Sequence, residues 1–149
     1  MAEAVGGNKT AIMDDCVFCK MVAGEIPVAK VYENEAVLAF LDIGPVSDGH
    51  TLVIPKTHCT RVDQCDADVL AKVGACLGEI AGAVVKAMGA DGYNVLCNNG
   101  RAANQVVEHV HFHIIPRRMG DGVFTQWPAY QYEKGRLEEI AEKFQKSLV

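Results

Sequence analysis

The stretch His109-Val110-His111-Phe112-His113-Ile114-Ile115 alternates imidazole and apolar side chains over five residues and then turns wholly apolar. Alternation at period two marks a half-buried β-strand, because successive side chains point to opposite faces. We therefore read Val106 to Pro116 as a strand, with three imidazoles on one face and Val110, Phe112 and Ile114 on the other. Residues two apart on a strand stand ~7 Å apart, so neighbouring histidines can act on one small group from different sides. A solvated polar face would use Thr, Ser, Lys or Gln as readily. A metal site made of all three is open, since neutral imidazole is a common metal ligand. The third option is chemistry near neutral pH, where an imidazole of pKa ~6.5 is largely unprotonated yet readily protonated.

Working outward, Gly92 to Cys97 reads as a second strand, joined to the first by the polar loop from Asn98 to Asn104. Asp66 to Met88 reads as one long helix. Its residues Val69, Val73, Cys76, Leu77, Ile80, Val84 and Met88 recur at three- and four-residue steps. Asp66 and Asp68 suit its start and Gly89 its stop. Gly74, Gly78 and Gly82 share another face, each costing about 1 kcal/mol relative to Ala. Either the helix tolerates them, or a second helix approaches closely there across a twofold axis. Lys30 to Glu33, Ala36 to Asp42 and His50 to Ile54 read as three more strands, and Cys16 to Gly24 as a short helical turn. Gly135 to Leu148 reads as a C-terminal helix with Leu137, Ile140, Ala141 and Phe144 inward, and residues 1–14 as a disordered lead-in. With too few helices for βαβ crossovers, an α+β fold on an antiparallel sheet is expected.

The chain has 149 residues and fits one domain over 15–149. A formal charge of −5 argues against a nucleic-acid partner, which needs a Lys/Arg excess. No apolar run approaches the ~20 residues of a membrane span. Met1-Ala2-Glu3-Ala4 lacks the basic start of a signal peptide. A cytoplasmic location is expected, with a nuclear one also open. The six cysteines are then expected as reduced thiols or metal ligands. Cys59, Cys65, Cys76 and Cys97 read as small core or surface residues. Cys16-x-x-Cys19 admits three readings: a redox dithiol, half a zinc site, or two buried thiols. A thioredoxin-like motif would follow a strand, and the sequence before Cys16 reads as a lead-in without one.

His-Val-His-Phe-His-Ile-Ile resembles the signature of the histidine triad (HIT) family, in its Hint-like branch. Phe40-Leu41-Asp42-Ile43, Gly49 to His58 and Asn98-Asn99-Gly100 fall in that family's order and spacing, so the resemblance covers roughly residues 15–118. It implies a HIT fold, with a mostly antiparallel five-stranded sheet, paired into a homodimer. It implies that His111 attacks the α-phosphorus of a purine nucleotide, giving a covalent nucleotidyl-histidine that water opens. His113 would contact the phosphate and His50 would support the nucleophilic imidazole. Asp42 would bind ribose hydroxyls, and Val17, Phe18, Met21, Phe40 and Ile43 would form the base slot. Asn98 stands at an amide phosphate-contact position. In zinc-bearing relatives the ligands correspond to Cys16, Cys19, His58 and His109, which implies a structural zinc here.

The match departs before the triad. Where the family has Gly-Gln-Ser/Thr against the phosphate, this chain has Asn104-Gln105-Val106. Asn can take the positive φ of Gly, but Val106 cannot supply the hydroxyl, and loss of one such donor can cost on the order of 10² in rate. The resemblance thus implies a nucleoside 5′-phosphoramidate hydrolase. Dinucleoside polyphosphate hydrolysis is the alternative enzyme, and a nucleotide-binding scaffold with little turnover the alternative class. Lys56, Arg117 and Trp127 are further residues that could border the site.

Overall fold

The computed structural model describes residues 13–148. The disordered lead-in expected over 1–14 falls almost wholly outside the described residues. In chain order the elements are α1 (Val17–Val22), β1 (Lys30–Glu33), β2 (Val37–Leu41), β3 (Thr51–Pro55), α2 (Ala67–Met88), β4 (Gly92–Leu96), β5 (Phe112–Arg117) and α3 (Arg136–Ser147). The strands form one sheet in the order β1-β2-β3-β5-β4, antiparallel at every pairing. The expected α+β architecture is thus what the chain adopts.

Alternation along β2 shows how the sheet divides its two faces. Val37 and Ala39 join Val53 and Ile114 against Val73, Cys76, Ile80 and Val84 of α2. Leu38 and Phe40 point the other way and pack with Leu52, Ile54 and Phe18 of α1. Helix α2 begins after Asp66 and ends at Gly89, whose φ of 56° is the left-handed C-terminal turn that glycine favours. Its three glycines are exposed, and a Cβ at any of them would meet nothing within 4 Å. Their cost of ~1 kcal/mol each is outweighed by burial of Val73, Ile80 and Val84, at roughly 1.5–3 kcal/mol apiece. The glycine face lies open in the single chain.

Three expectations need correction. The histidine strand is shorter than its alternation implies: β5 starts at Phe112, and 105–111 run irregularly. Two competing bonds account for this. The Val110 N–H goes to the Cys59 carbonyl at 2.7 Å, and the His109 carbonyl is taken by the ring of His111, so neither is free for a sheet ladder. Second, Cys59 and Cys65 are joined in a disulfide and are not separate thiols. The intervening single turn (Val62–Gln64) folds the loop back so that the two meet. Third, α3 buries none of its residues. Leu137 and Phe144 are 58% and 67% exposed, and only Ile140 is half-buried. Amphipathic spacing shows that a face suits cover but not that the same chain supplies it.

Gly49 positions the turn into β3 with φ at +86°, and a Cβ there would lie 2.6 Å from Met88 Cγ and 3.3 Å from Pro116 Cγ. Gly49→Ala should therefore destabilise the fold by about 1–3 kcal/mol, read as a lower urea midpoint with unchanged slope. A midpoint equal to wild type would show that the turn relaxes freely.

Candidate active site

A cleft of about 540 Å³ opens on the α1 face of the sheet, within the usual range for small-ligand sites. Strand pairing places its floor. His113 sits opposite Leu52 on β3 and Leu96 on β4, so it shares their face of the sheet. His111 lies just before β5, its ring 4.9 Å from that of His113. Helix α1 supplies a wall. Phe18 packs edge-on to both His111 and Phe40, at 5.2 and 5.7 Å between ring centroids.

The hydrogen bonds fix which nitrogen carries each proton. His111 Nδ1 lies 2.7 Å from the carbonyl oxygen of His109, which can only accept, so Nδ1 holds the proton and Nε2 the lone pair. The backbone N–H of Val46 donates to His50 Nδ1 at 3.1 Å. The proton of neutral His50 is therefore on Nε2, 2.9 Å from His113 Nδ1. His113 in turn carries its proton on Nε2, a buried atom with no partner among the described residues. A chain of neutral donors thus ends in one unused N–H. His50 contacts His113, not His111; the orientation of His111 comes from its own backbone two residues upstream.

Burial pushes His113 down to about 4, helped by the neighbouring His111 and His50 and opposed by Asp42. Burial also lowers His50, again opposed by Asp42. Asp42 Oδ2 stands 3.7 Å from His50 Nε2, while Oδ1 accepts the N–H of Gly44 in a local turn. The cations that could have approached are engaged elsewhere. Lys56 pairs with Glu33 at 2.8 Å, and Arg117 holds Asp121, Asn94 and the Val123 carbonyl. Among the described residues, no Lys or Arg lines the cleft.

Of the residues expected at the nucleotide, Val17, Phe18, Met21, Phe40, Asp42, Ile43, Asn104, Val106, His111 and His113 line this cleft. Ile43 is fully exposed at the rim, and Val106 is 89% exposed. Asn104 takes the left-handed conformation open to Asn in place of Gly, with φ 62°. Asn98 and Gln105 are not lining residues. Gln105 is buried as a brace: its oxygen accepts the Gly100 N–H, and its nitrogen donates to the Thr60 and Val107 carbonyls. Pro27, Val28, Ala29, Leu41, Leu52 and Val107 complete the lining, and nothing in the sequence marks them as site residues. Their apolar character was visible; their convergence depends on the loop between α1 and β1.

A second cluster lies behind Phe18. Donor atoms of Cys16, Cys19, His58 and His109 all fall within 4.8 Å of one another. Cys16 Sγ is 3.4 Å from His109 Nδ1, Cys19 Sγ is 3.4 Å from His58 Nδ1, and the two Nδ1 atoms are 3.2 Å apart. Ligands at about 2.0–2.3 Å from a tetrahedral zinc would stand roughly 3.3–3.8 Å apart. His109 Nε2 donates to the Pro55 carbonyl at 2.8 Å, which leaves its Nδ1 lone pair facing the cluster.

Fold and site together define a histidine triad protein, and the HIT domain family model matches residues 23–120. The chain belongs to that family. It is 44% identical over 133 residues to the adenosine 5′-monophosphoramidase of Schizosaccharomyces pombe, covering 86% of this chain and 94% of that one. A crystal structure from Streptococcus mutans superposes with a TM-score of 0.90 at 42% identity, covering 97% of this chain and 92% of the other. A zinc-bound histidine triad protein from Mycobacterium smegmatis superposes with a TM-score of 0.71 at 40% identity, over 91% and 98% of the two chains.

The depressed His113 has a consequence for stability. Between pH 6.5, where an unfolded histidine titrates, and about 4, the unfolded chain binds a proton that the folded site refuses. Stability should therefore fall as pH drops through that window. His113→Gln should show a shallower decline of the urea midpoint, and the His113 ring should titrate near 4 by NMR. A ring titrating at 6.5 would contradict the assignment.

Proposed function

We propose that this HIT-family hydrolase cleaves nucleoside 5′-phosphoramidates or related nucleotidyl conjugates through a covalent nucleotidyl-histidine on His111. The observation that carries the reading is the fixed tautomer of His111, whose Nε2 lone pair is available beside the free Nε2–H of His113. The lone pair forms the N–P bond as the P–N bond to the leaving amine breaks, and the departing nitrogen takes a proton from solvent water. Water then cleaves the N–P bond and releases the 5′-monophosphate. His113 donates to a phosphoryl oxygen, and His50 holds the His113 proton on the required nitrogen. Asp42 accepts ribose hydroxyls and the α1 wall takes a purine. A cleft lined by neutral donors, with no Lys or Arg among its described residues, suits a singly charged α-phosphoryl better than a terminal dianion. The name of the S. pombe relative supports the substrate class.

With adenosine 5′-phosphoramidate, wild type should turn over and form an adenylyl adduct detectable by intact mass. His111→Ala should lose the adduct and on the order of 10⁴ or more in rate. Adduct formation in His111→Ala would defeat the mechanism. The exposed Val106, whose side chain can donate no hydrogen bond, favours a second reading in which the protein binds nucleotide as a regulator. AMP binding with neither adduct nor turnover would select it.

We propose further that Cys16, Cys19, His58 and His109 hold a structural zinc. When bound, it clasps α1 to the segment bearing His111; a closed Cys₂His₂ set leaves no open position for substrate. The tetrahedral donor spacing and the pinned His109 support this. Purified wild type should carry close to one zinc per chain and Cys16→Ala well below that, by elemental analysis, with a lower melting temperature for the variant. Equal zinc content in both would rule out this ligand set. The open glycine face of α2 is, in this reading, where a second copy packs to form a homodimer.

A further inference from the structure

The Cys59–Cys65 disulfide belongs to no part of the proposed chemistry, yet it begins one residue after a member of the Cys/His cluster. It joins residues six apart, so it ties no distant elements together. What it closes is the loop between β3 and α2, the loop that carries His58.

His58 differs from the other histidine of its cluster in how it is held. The ring of His109 is pinned from behind by the Pro55 carbonyl. His58 Nε2 has no hydrogen-bond partner among the described residues; the polar contacts of the ring are to Cys19 and His109 through Nδ1. Its position thus depends on its backbone, and so on the loop that follows. Three hydrogen bonds join that loop to the segment leading to His111. The Cys59 carbonyl accepts from Val110 N–H at 2.7 Å, Thr60 accepts from the Gln105 amide at 2.7 Å, and Val62 N–H donates to Asn99 at 2.8 Å. The disulfide is the covalent closure of the same loop. Both cysteines are half-buried and not sealed in the core, so a thiol can reach sulfur.

We propose that Cys59–Cys65 is a thiol–disulfide site whose oxidation state sets how tightly the neighbouring Cys16/Cys19/His58/His109 cluster retains its metal. This rests on the zinc reading above. The reducing partner is a dithiol. Its thiolate attacks one sulfur, breaking the Cys59–Cys65 bond and forming a mixed disulfide. Its second thiol then closes on the first, so the reductant leaves as a disulfide. Two electrons and two protons pass to the protein, giving two cysteine thiols. The opened loop gains conformational freedom, His58 is less well placed, and the metal leaves faster. Losing the support that orients a metal-bound histidine costs 10- to 100-fold in affinity in other metal sites.

The test is zinc release from the full chain into a colorimetric chelator, with no substrate present. A water-soluble phosphine reduces the disulfide without offering zinc a competing thiolate; the phosphine becomes its oxide with oxygen from water. Alkylation and intact mass confirm two additional thiols. Reduced wild type should release zinc on the order of 10- to 100-fold faster than oxidised wild type. The double variant Cys59→Ser/Cys65→Ser should release it fast with or without phosphine. Equal release rates from oxidised and reduced wild type, with one zinc per chain in each, would overturn the proposal and leave the zinc reading intact. Absence of stoichiometric zinc in both states would remove the zinc reading and this proposal with it. If the variant does not fold, as judged by circular dichroism, the wild-type comparison alone decides.

Discussion

A single carbonyl, that of His109, accepts the Nδ1–H of His111 at 2.7 Å, and much of the site's organisation is a consequence of that bond. It requires the backbone from 109 to 111 to leave the extended path, because a ladder strand cannot turn its carbonyl toward its own side chain two residues on. Leaving that path separates the rings by task. His109 turns toward the sulfur cluster, where Pro55 fixes its far nitrogen. His111 and His113 remain on the cleft. The lost ladder bonding is replaced by contacts to the β3–α2 loop: Val110 N–H to Cys59, and Gln105 to Thr60. Buried backbone groups that leave a ladder find partners in this way, in side chains or loops where sheets end.

This also explains what was legible in the sequence. The alternation from His109 to His113 correctly indicated that imidazoles share a face, and Phe112, His113 and Ile114 obey it within β5. It could not show that the strand stops at Phe112, since the bonds that end it involve backbone atoms of residues whose identities carry no signal. Helix α2 was readable to within a residue because its stripe, its start and its Gly89 stop agree. Asn104 has a positive φ, a conformation that Asn tolerates better than most residues in place of Gly. Helix α3 was readable as an element but not as packing. The disulfide was hidden behind composition, because compartment arguments speak of the average cysteine and not of two brought together by one turn.

The electrostatics of the cleft follow from burial more than from charge. Imidazoles packed this closely cannot all be cationic, since each opposes protonation of the next, and desolvation adds to the effect. His113 is accordingly held neutral, down to about 4. A neutral donor binds a phosphoryl oxygen less strongly than a cation would, but its proton stays on a fixed nitrogen. The Val46 N–H enforces this through His50: by occupying the Nδ1 lone pair it puts the His50 proton on Nε2, which donates to His113 Nδ1 and leaves the His113 proton on Nε2. Asp42 lies at the edge of the same network, close enough to oppose the downward shift of both rings yet half-exposed to the cleft.

The wall opposite these rings is the least self-sufficient part of the fold. Helix α1 has six residues, too few to persist alone, since helix nucleation is unfavourable and short helices depend on tertiary contacts. Phe18 provides one such contact, against Phe40, His109 and His111. The cysteines beside it provide the other: Cys16 precedes the helix, Cys19 lies within it, and both reach His109. His109 therefore meets α1 twice, through its ring face and through its Nδ1. The residue whose carbonyl accepts the Nδ1–H of His111 is the same one that anchors the wall across from it. Any loosening of the Cys/His cluster would then act on the cleft through two routes, the position of Phe18 and the backbone that holds His111. The β3–α2 loop enters both routes, through His58 to Cys19 beside Phe18 and through the Cys59 carbonyl to Val110.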